Sequence, residues 1–179
     1  MSRLICGFPG VGKTYFKNNS NDKVYDSDSS EYSWLNFDNK VRHHQFPQNY
    51  IKAIKHRLTE SDMVLASTHK IVLNGLIDAG IDFTLVYPQR HLRNEYLGRY
   101  RLRYSDPGLI SLLYRKWDSF IDDLDGCPIP THNKIVLGPI EYLSDVLDEH
   151  KAFKIAELKG QTVDRITIDE PTAKANHLL

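Results

Sequence analysis

The residues with the clearest chemical potential stand near the start of the chain, between Gly7 and Thr14. Their spacing matches G-x-x-x-x-G-K-[ST], a loop whose backbone N–H groups surround phosphates while its lysine reaches the terminal phosphates and its hydroxyl binds Mg²⁺. A chance match is expected in only about one chain in one or two hundred. We therefore expect Mg·ATP to bind residues 7–15, with contacts from Gly10, Val11, Gly12, Lys13, Thr14 and Tyr15.

Two carboxylates follow the second predicted strand, which spans residues 23–25. Asp26 and Asp28 would therefore lie at the carboxyl edge of the sheet, where ligands of open α/β sheets bind. One carboxylate can serve the magnesium ion, together with Thr14, while the other accepts a proton from an attacking hydroxyl. We assign Asp26 to the metal and Asp28 to the base. An exchange of these roles, or a simple turn or helix cap, remains open.

The third predicted strand, residues 63–68, ends without the aspartate that many motor-type NTPases use to hold magnesium. Asp62 stands at the opposite end of that strand. This absence favours a kinase over a mechanical ATPase or a GTPase switch.

An arginine-rich segment, residues 90–103, carries five arginines and one glutamate. Arg99 and Arg103 are spaced i,i+4 and would share one face of a helix. Guanidinium groups match the charge and the geometry of a transferring phosphoryl group. We expect Arg99 and Arg103 to close over ATP as part of a lid, about residues 89–106, with help from Arg93. The structural alternative is a solvated basic helix face.

A second basic cluster is a candidate for the acceptor side of the site, and the alternative is solvated surface. Its members are Lys40, Arg42, His43, His44, Lys52, Lys55 and His56. Nearby, Trp34 or Tyr32 could stack on a base or cap a small satellite core.

Strand patterns alternating with helix patterns predict an α/β fold in which helices cover both faces of a parallel sheet, in three layers. The predicted strands are residues 4–8, 23–25, 63–68, 83–87 and 134–137. Helices are expected after Gly12 and over residues 48–59, 71–77, 90–103, 107–124 and 139–158, and residues 29–47 should form a short helix or a loop. We expect one domain, residues 1–158, and a weakly patterned tail, residues 159–179.

Composition sets further limits. The chain has 179 residues, is 41% hydrophobic and carries no formal net charge. No apolar stretch reaches membrane-spanning length and the first strand starts too early for a signal peptide, so we expect a cytoplasmic protein with no membrane partner. Cys6 and Cys127 are expected to be reduced thiols. A balanced charge argues against bulk electrostatic binding to DNA.

These motifs resemble those of the P-loop kinases of the nucleoside-monophosphate-kinase superfamily, over roughly residues 2–150. Residues 26–28 are similar to the D-x-D of shikimate and gluconate kinases, where the pair serves magnesium and the acceptor hydroxyl. The arginine-rich segment resembles their lid. Residues 46–51, 83–88 and 95–100 resemble a small bacteriophage and prophage branch that is described as nucleotide or adenylate kinases. Related phage kinases phosphorylate 5-hydroxymethyluracil bases in DNA.

The resemblance implies a P-loop kinase fold with strand order 2-3-1-4-5. It also implies transfer of the γ-phosphate of Mg·ATP to a nucleoside or nucleotide acceptor, such as the hydroxyl of 5-hydroxymethyluracil in phage DNA. The chain would then act in the cytoplasm of the phage host. A deoxynucleoside monophosphate kinase, a small-metabolite kinase and a regulatory ATP-binding module without kinase activity are the alternatives.

Overall fold

The computed structural model of the protein describes residues 3–36, 41–103 and 107–147, and its strands form two sheets. In chain order the strands are Arg3–Gly7 (β1), Val24–Asp26 (β2), Trp34–Asn36 (β3), Val41–Arg42 (β4), Met63–Ala66 (β5), Thr84–Pro88 (β6) and Lys134–Leu137 (β7). The main sheet has the order β2-β5-β1-β6-β7, and every neighbouring pair is parallel. The protein is therefore an α/β protein built on a five-stranded parallel sheet.

The expected strand order, 2-3-1-4-5, differs from the observed numbering because the described residues include two strands that we did not predict. β3 and β4 form a separate antiparallel pair within residues 29–47. Trp34 lies opposite Arg42 in this pair, and the guanidinium carbon lies 4.1 Å from the centre of the indole ring. Such a cross-strand contact favours antiparallel pairing of two short strands whose sequences show little apolar alternation.

The helices supply the crossovers that parallel strands require. They are Lys13–Asn19 (α1), Ser30–Ser33 (α2), Gln48–Glu60 (α3), Lys70–Asp78 (α4), Arg93–Arg103 (α5) and Pro107–Asp125 (α6), with a 3₁₀ turn at Arg90–Leu92. Buried residues recur at helical spacing, as in α6 at Leu113, Trp117, Ile121 and Leu124. The helix that we expected to start at Pro139 starts instead at residue 143, since Ile140 takes a left-handed backbone conformation with φ 66°.

The core lies around the central strands. Every residue of β5 and β6 is buried, which for a parallel sheet means cover on both faces. α3 and α4 pack closely at Gly75. A Cβ atom at this position would lie only 2.4 Å from Ile51 Cδ1. Cys6 and Cys127 are both buried and free.

The chain divides into two compact units, residues 1–146 and 147–179. The strands β1–β7 and the helices α1–α6 all belong to the first unit. The expected domain boundary at residue 158, the expected tail, 159–179, and the later part of the helix expected over 139–158 lie outside the described residues. Within the described parts of the chain, no helix is long and apolar enough to cross a lipid bilayer.

Candidate functional site

The glycine loop lies between the end of β1 and the start of α1. Gly10 and Gly12 both have left-handed backbone angles, with φ of 85° and 96°. A Cβ at Gly10 would lie 3.0 Å from the Tyr100 ring, and one at Gly12 would lie 3.2 Å from the Tyr142 ring. Glycine is therefore required at both positions by the conformation and by the packing around the loop.

Lys13 lies against this loop. Its Nζ donates hydrogen bonds to Gly7 O at 2.6 Å and to Phe8 O at 3.3 Å. Burial lowers the pKa of Lys13 to about 8, although the nearby charge of Asp26 acts in the opposite direction. An anion bound in the loop would favour the charged form of this lysine.

The structure brings Thr14 and Asp26 together, as a shared role in binding a metal requires. Thr14 Oγ1 donates to Asp26 Oδ2 at 3.0 Å, and Arg103 Nη2 donates to the same hydroxyl at 3.2 Å. Hydroxyl and carboxylate oxygens are hard donors that fit Mg²⁺. Among the described residues, no three acidic, histidine or cysteine side chains form a group that could hold a metal ion by themselves. A cation here would therefore complete its shell with phosphate and water oxygens.

Asp28 has a different environment. Its Oδ1 accepts a hydrogen bond from the backbone N–H of Ser30 at 2.9 Å, so the turn that we considered as an alternative is present. The side chain is nevertheless exposed, and its charge partly offsets the lowering of the pKa values of Lys13 and His69 by burial. Asp28 is thus within electrostatic range of both groups.

Tyr50 fixes the ends of two neighbouring strands, a role that the sequence did not suggest. Its hydroxyl donates to Ser27 O at 2.8 Å and accepts from the backbone N–H of Ser67 at 3.2 Å. Ser27 separates the two aspartates, and Ser67 follows β5. The helical spacing of Tyr50 predicted burial, but that pattern does not reveal a polar partner.

Arg99 occupies a more internal position than we expected of a lid residue. Its Nη1 donates to Gly10 O at 3.1 Å, and its Nη2 donates to Glu141 O at 3.1 Å and pairs with Glu95 at 2.5 Å. The guanidinium lies between the rings of Tyr96 and Tyr142, 4.5 and 3.9 Å from their centres. Arg99 therefore fastens the glycine loop to α5.

The other arginines of the segment point to different partners. Arg93 pairs with Asp118 on α6, and Arg90 pairs with Asp122 at 2.5 Å on the same helix. Arg101 is exposed on α5. The structure thus brings Arg99 and Arg103 to the glycine loop and joins Arg90 and Arg93 to α6.

Tyr15, expected among the nucleotide contacts, projects outward from α1 and is 64% exposed. Tyr100 and Tyr142 support the loop instead, the former by donating its hydroxyl to Pro9 O at 2.9 Å. The sequence predicted a helix from Pro139, and a helical position for Tyr142 did not indicate that its ring lies beside Gly12.

The second basic cluster separates into members with different surroundings. Arg42 and His43 line a cavity next to the loop, and the His44 ring stacks on His43. The remaining described members are exposed: Lys52, Lys55 and His56, of which His56 lies 3.5 Å from Glu60. Lys40 lies outside the described residues. Trp34 supports Arg42, and Tyr32 packs against Tyr50 with ring centres 5.1 Å apart.

The cavity has a volume of about 610 Å³ and begins at Phe8 and Pro9 of the glycine loop. α6 supplies one wall, from Leu109 to Leu124. Leu109 and Leu112 have the apolar, helical spacing of core residues, but both line the cavity, and Leu112 is 42% exposed. A pattern of apolar residues cannot separate a core face from a cavity wall, because both exclude charged groups.

Comparisons with protein-family models and with curated proteins find no match to this chain. The chemistry of the site is therefore inferred from its own residues.

Proposed function

We propose that this protein is a P-loop kinase that transfers the γ-phosphate of Mg·ATP to a hydroxyl group of a nucleoside- or nucleotide-type acceptor. The observation that carries the proposal is the meeting of Lys13, Thr14 and Asp26 at one glycine loop. Phosphoryl transfer requires a loop that surrounds the phosphates, a lysine that reaches them and oxygen ligands for Mg²⁺.

The donor would bind with its phosphates in the glycine loop. Lys13 would exchange its contacts with Gly7 O and Phe8 O for phosphate oxygens, and Arg103 lies close enough to Thr14 to neutralise the transferring group. When Mg²⁺ is bound, it neutralises charge on the phosphates. Thr14 and Asp26 would hold it.

The contact between Asp26 and Thr14 favours the metal role for Asp26 and leaves the base role to Asp28. Asp28 would take the proton of the acceptor hydroxyl as its oxygen forms a bond to the γ-phosphorus. The bond between that phosphorus and the β,γ-bridging oxygen breaks, and ADP leaves.

The acceptor that we propose is a hydroxymethyl group such as that of 5-hydroxymethyluracil in phage DNA, a base that would have to leave the helix to react. A deoxynucleoside monophosphate or a small metabolite is the second candidate. The cavity supports it, since about 610 Å³ is the size of a small-molecule site.

The test is transfer of label from γ-labelled ATP to separate pools of nucleosides, deoxynucleotides, sugar acids, plain DNA and DNA containing 5-hydroxymethyluracil. We expect one pool to be labelled, and Lys13→Ala to abolish labelling while the protein stays folded. Lys17→Ala, an exposed lysine on the same helix, is the matched control. Parental transfer by folded Lys13→Ala would refute the proposal, and ATP binding without any labelled pool would indicate a regulatory module.

A further inference from the structure

The cavity beside the glycine loop has a composition that selects among acceptors. Nine of its fifteen lining residues are apolar. Two of these, Leu112 and Ile71, are 42% and 51% exposed, so they present apolar surface that the core does not use. A polyhydroxylated molecule would lose hydrogen bonds to water against this wall and gain none in return.

The polar residues of the cavity carry an excess of positive charge. Asp123 is the single acid among the lining residues in the described chain, and it pairs with Lys70 at 2.6 Å. Arg42 stacks its flat face on Trp34 at 4.1 Å. Because the N–H donors of a guanidinium lie in its plane, stacking of Arg42 on the indole ring leaves its donors able to hydrogen-bond an anion.

The cavity is also close to the reacting groups. Phe8 and Pro9 belong to both the glycine loop and the cavity lining. His69 is accessible to solvent. Partial burial by neighbouring protein atoms and the charge of Arg42 nevertheless lower its pKa, while the charge of Asp28 acts in the opposite direction. Arg42, His69 and Asp28 thus share one electrostatic environment at this side of the loop.

We propose that this cavity binds the phosphate acceptor and that the acceptor is an amphipathic anion, with an apolar body against Leu109 and Leu112 and an anionic group held by Arg42. The transfer step rests on the proposed function, whereas the binding preference stands on the cavity alone. Polyhydroxylated sugar acids are excluded as acceptors. A hydroxymethylated pyrimidine nucleotide belongs to the accepted class, either free or within a DNA strand.

The test measures binding without ATP, by calorimetric titration with three matched probes. 4-(Hydroxymethyl)benzoate has a carboxylate, an apolar ring and a primary hydroxyl, and benzene-1,4-dimethanol lacks the charge. Gluconate keeps the carboxylate and the primary hydroxyl but has a polar body. We expect the benzoate to bind about tenfold more tightly than the neutral diol, as for a hydrogen bond to a charged group, and gluconate not to saturate.

Two variants test the assigned residues. Arg42→Gln should abolish the preference for the benzoate over the diol, and Leu112→Gln should weaken both, while Lys52→Gln should change neither. Arg42, Leu112 and Lys52 are all exposed, so thermal unfolding should show all three variants folded.

Failure of the benzoate to bind, equal binding of gluconate, or an unchanged preference in Arg42→Gln would overturn this inference, whatever the protein does with ATP. Transfer from ATP to some other acceptor would in that case leave the proposed function intact. Binding of the benzoate by a protein that transfers no phosphate from ATP would support the binding preference of the cavity and refute the proposed kinase function. Titrations with 5-hydroxymethyl-dUMP and with a single-stranded oligonucleotide containing the same base distinguish a free nucleotide from a DNA strand.

Discussion

Lys13 lies in surroundings that oppose its own charge. Burial lowers its pKa from 10.5 to about 8, and its Nζ is held by backbone carbonyl oxygens, without a direct carboxylate contact among its hydrogen bonds. Because the unfolded chain binds this proton more tightly, the charged lysine costs folding free energy below about pH 8, and the cost is lost as the pH rises toward 10.5. Such local costs are typical of functional sites.

This environment predicts a pH-dependent affinity for ATP. Below about pH 8 Lys13 is charged and binding should be constant. Above that value binding must also take up a proton, and the dissociation constant should rise toward tenfold per pH unit. Calorimetric titration of ATP at fixed magnesium from about pH 7 to 9.5 measures this. Lys13→Arg, which keeps its charge, should show weaker binding with little pH dependence. A flat profile in the parent protein would contradict a Lys13 pKa of about 8 in the free protein.

The two aspartates should respond differently to the same chemical change. Asp28→Asn should lower the rate of transfer by about 10²–10⁴-fold with little effect on ATP affinity, as expected for loss of a general base. The amide retains the oxygen that accepts the Ser30 N–H, so the turn survives. Asp26→Asn should instead raise the magnesium concentration needed for half-maximal rate.

Steady-state kinetics at varied magnesium separate these effects. Asp78→Asn, an exposed aspartate at the end of α4, is the control and should behave as the parent. If Asp28→Asn transfers at the parental rate, Asp28 acts as a turn residue and not as a base.

Sequence spacing was a good guide to the residues whose contacts are local. Lys13 and Thr14 come directly after β1 in the glycine-loop motif. Asp26 ends β2, which lies two places from β1 in the sheet. Because the strands are parallel, both ends lie at the same edge of the sheet, and the contact between Thr14 and Asp26 follows from the motif and the strand order. The position of Arg99 is predicted only in part. Its i,i+4 spacing predicts that it shares one face of α5 with Arg103, but its contact with Glu141 depends on how a distant segment packs.

α5 is joined to the glycine loop at three points along its length. Tyr100 and Arg99 donate to Pro9 O and Gly10 O, and Arg103 donates to Thr14 Oγ1 at the end of the helix. The first two contacts hold the backbone of the loop. The third reaches a side chain that we assign to the metal.

Substitutions along α5 should therefore separate effects on the stability of the glycine loop from effects on the rate of phosphoryl transfer. Arg99→Ala should lower the free energy of unfolding by about 1–3 kcal/mol, since it removes the donor to two backbone carbonyls and to the Glu95 carboxylate, and should weaken ATP binding. Arg103→Ala should lower transfer by about 10²–10³-fold with stability within about 0.5 kcal/mol of the parent. Chemical denaturation and initial rates measure the two quantities.

Arg101→Ala removes the same charge from the same helix and should change neither quantity. Arg103→Lys should retain little activity, since lysine keeps the charge but lacks the planar guanidinium group with its paired N–H donors. Equal loss of stability and rate in both the Arg99 and Arg103 variants would show that the two arginines have one common structural role.

Most element positions followed from apolar periodicity and from breakers. Gln48–Glu60 and Pro107–Asp125 each lie within one residue of the predicted helix. The two failures share a cause: β3 with β4, and the irregular residues 138–142, depend on contacts with other parts of the chain, namely Trp34 with Arg42 and Gly12 with Tyr142. Local patterns cannot report such contacts.

The charges of the whole molecule balance, and the structure shows where part of that balance lies. The chain has 23 basic and 23 acidic residues. Arg90 and Arg93 of the arginine-rich segment are matched by Asp122 and Asp118 on α6. Arg42 at the cavity rim lies instead over the Trp34 ring.

Unmodified duplex DNA should therefore bind weakly, and with a shallow dependence on salt. Each phosphate contact contributes about −0.9 to the slope of log affinity against log salt, and one or two contacts predict a slope of about −1 to −2. Fluorescence anisotropy from low to moderate salt measures it, and Arg42→Gln should make the slope less steep by about one unit while Lys52→Gln leaves it unchanged. A slope steeper than about −5, which would require six or more phosphate contacts, would show a continuous basic surface that the ion pairs between Arg90, Arg93 and α6 argue against. A shallow slope together with labelling of DNA that contains 5-hydroxymethyluracil would place recognition in the modified base and not in the backbone.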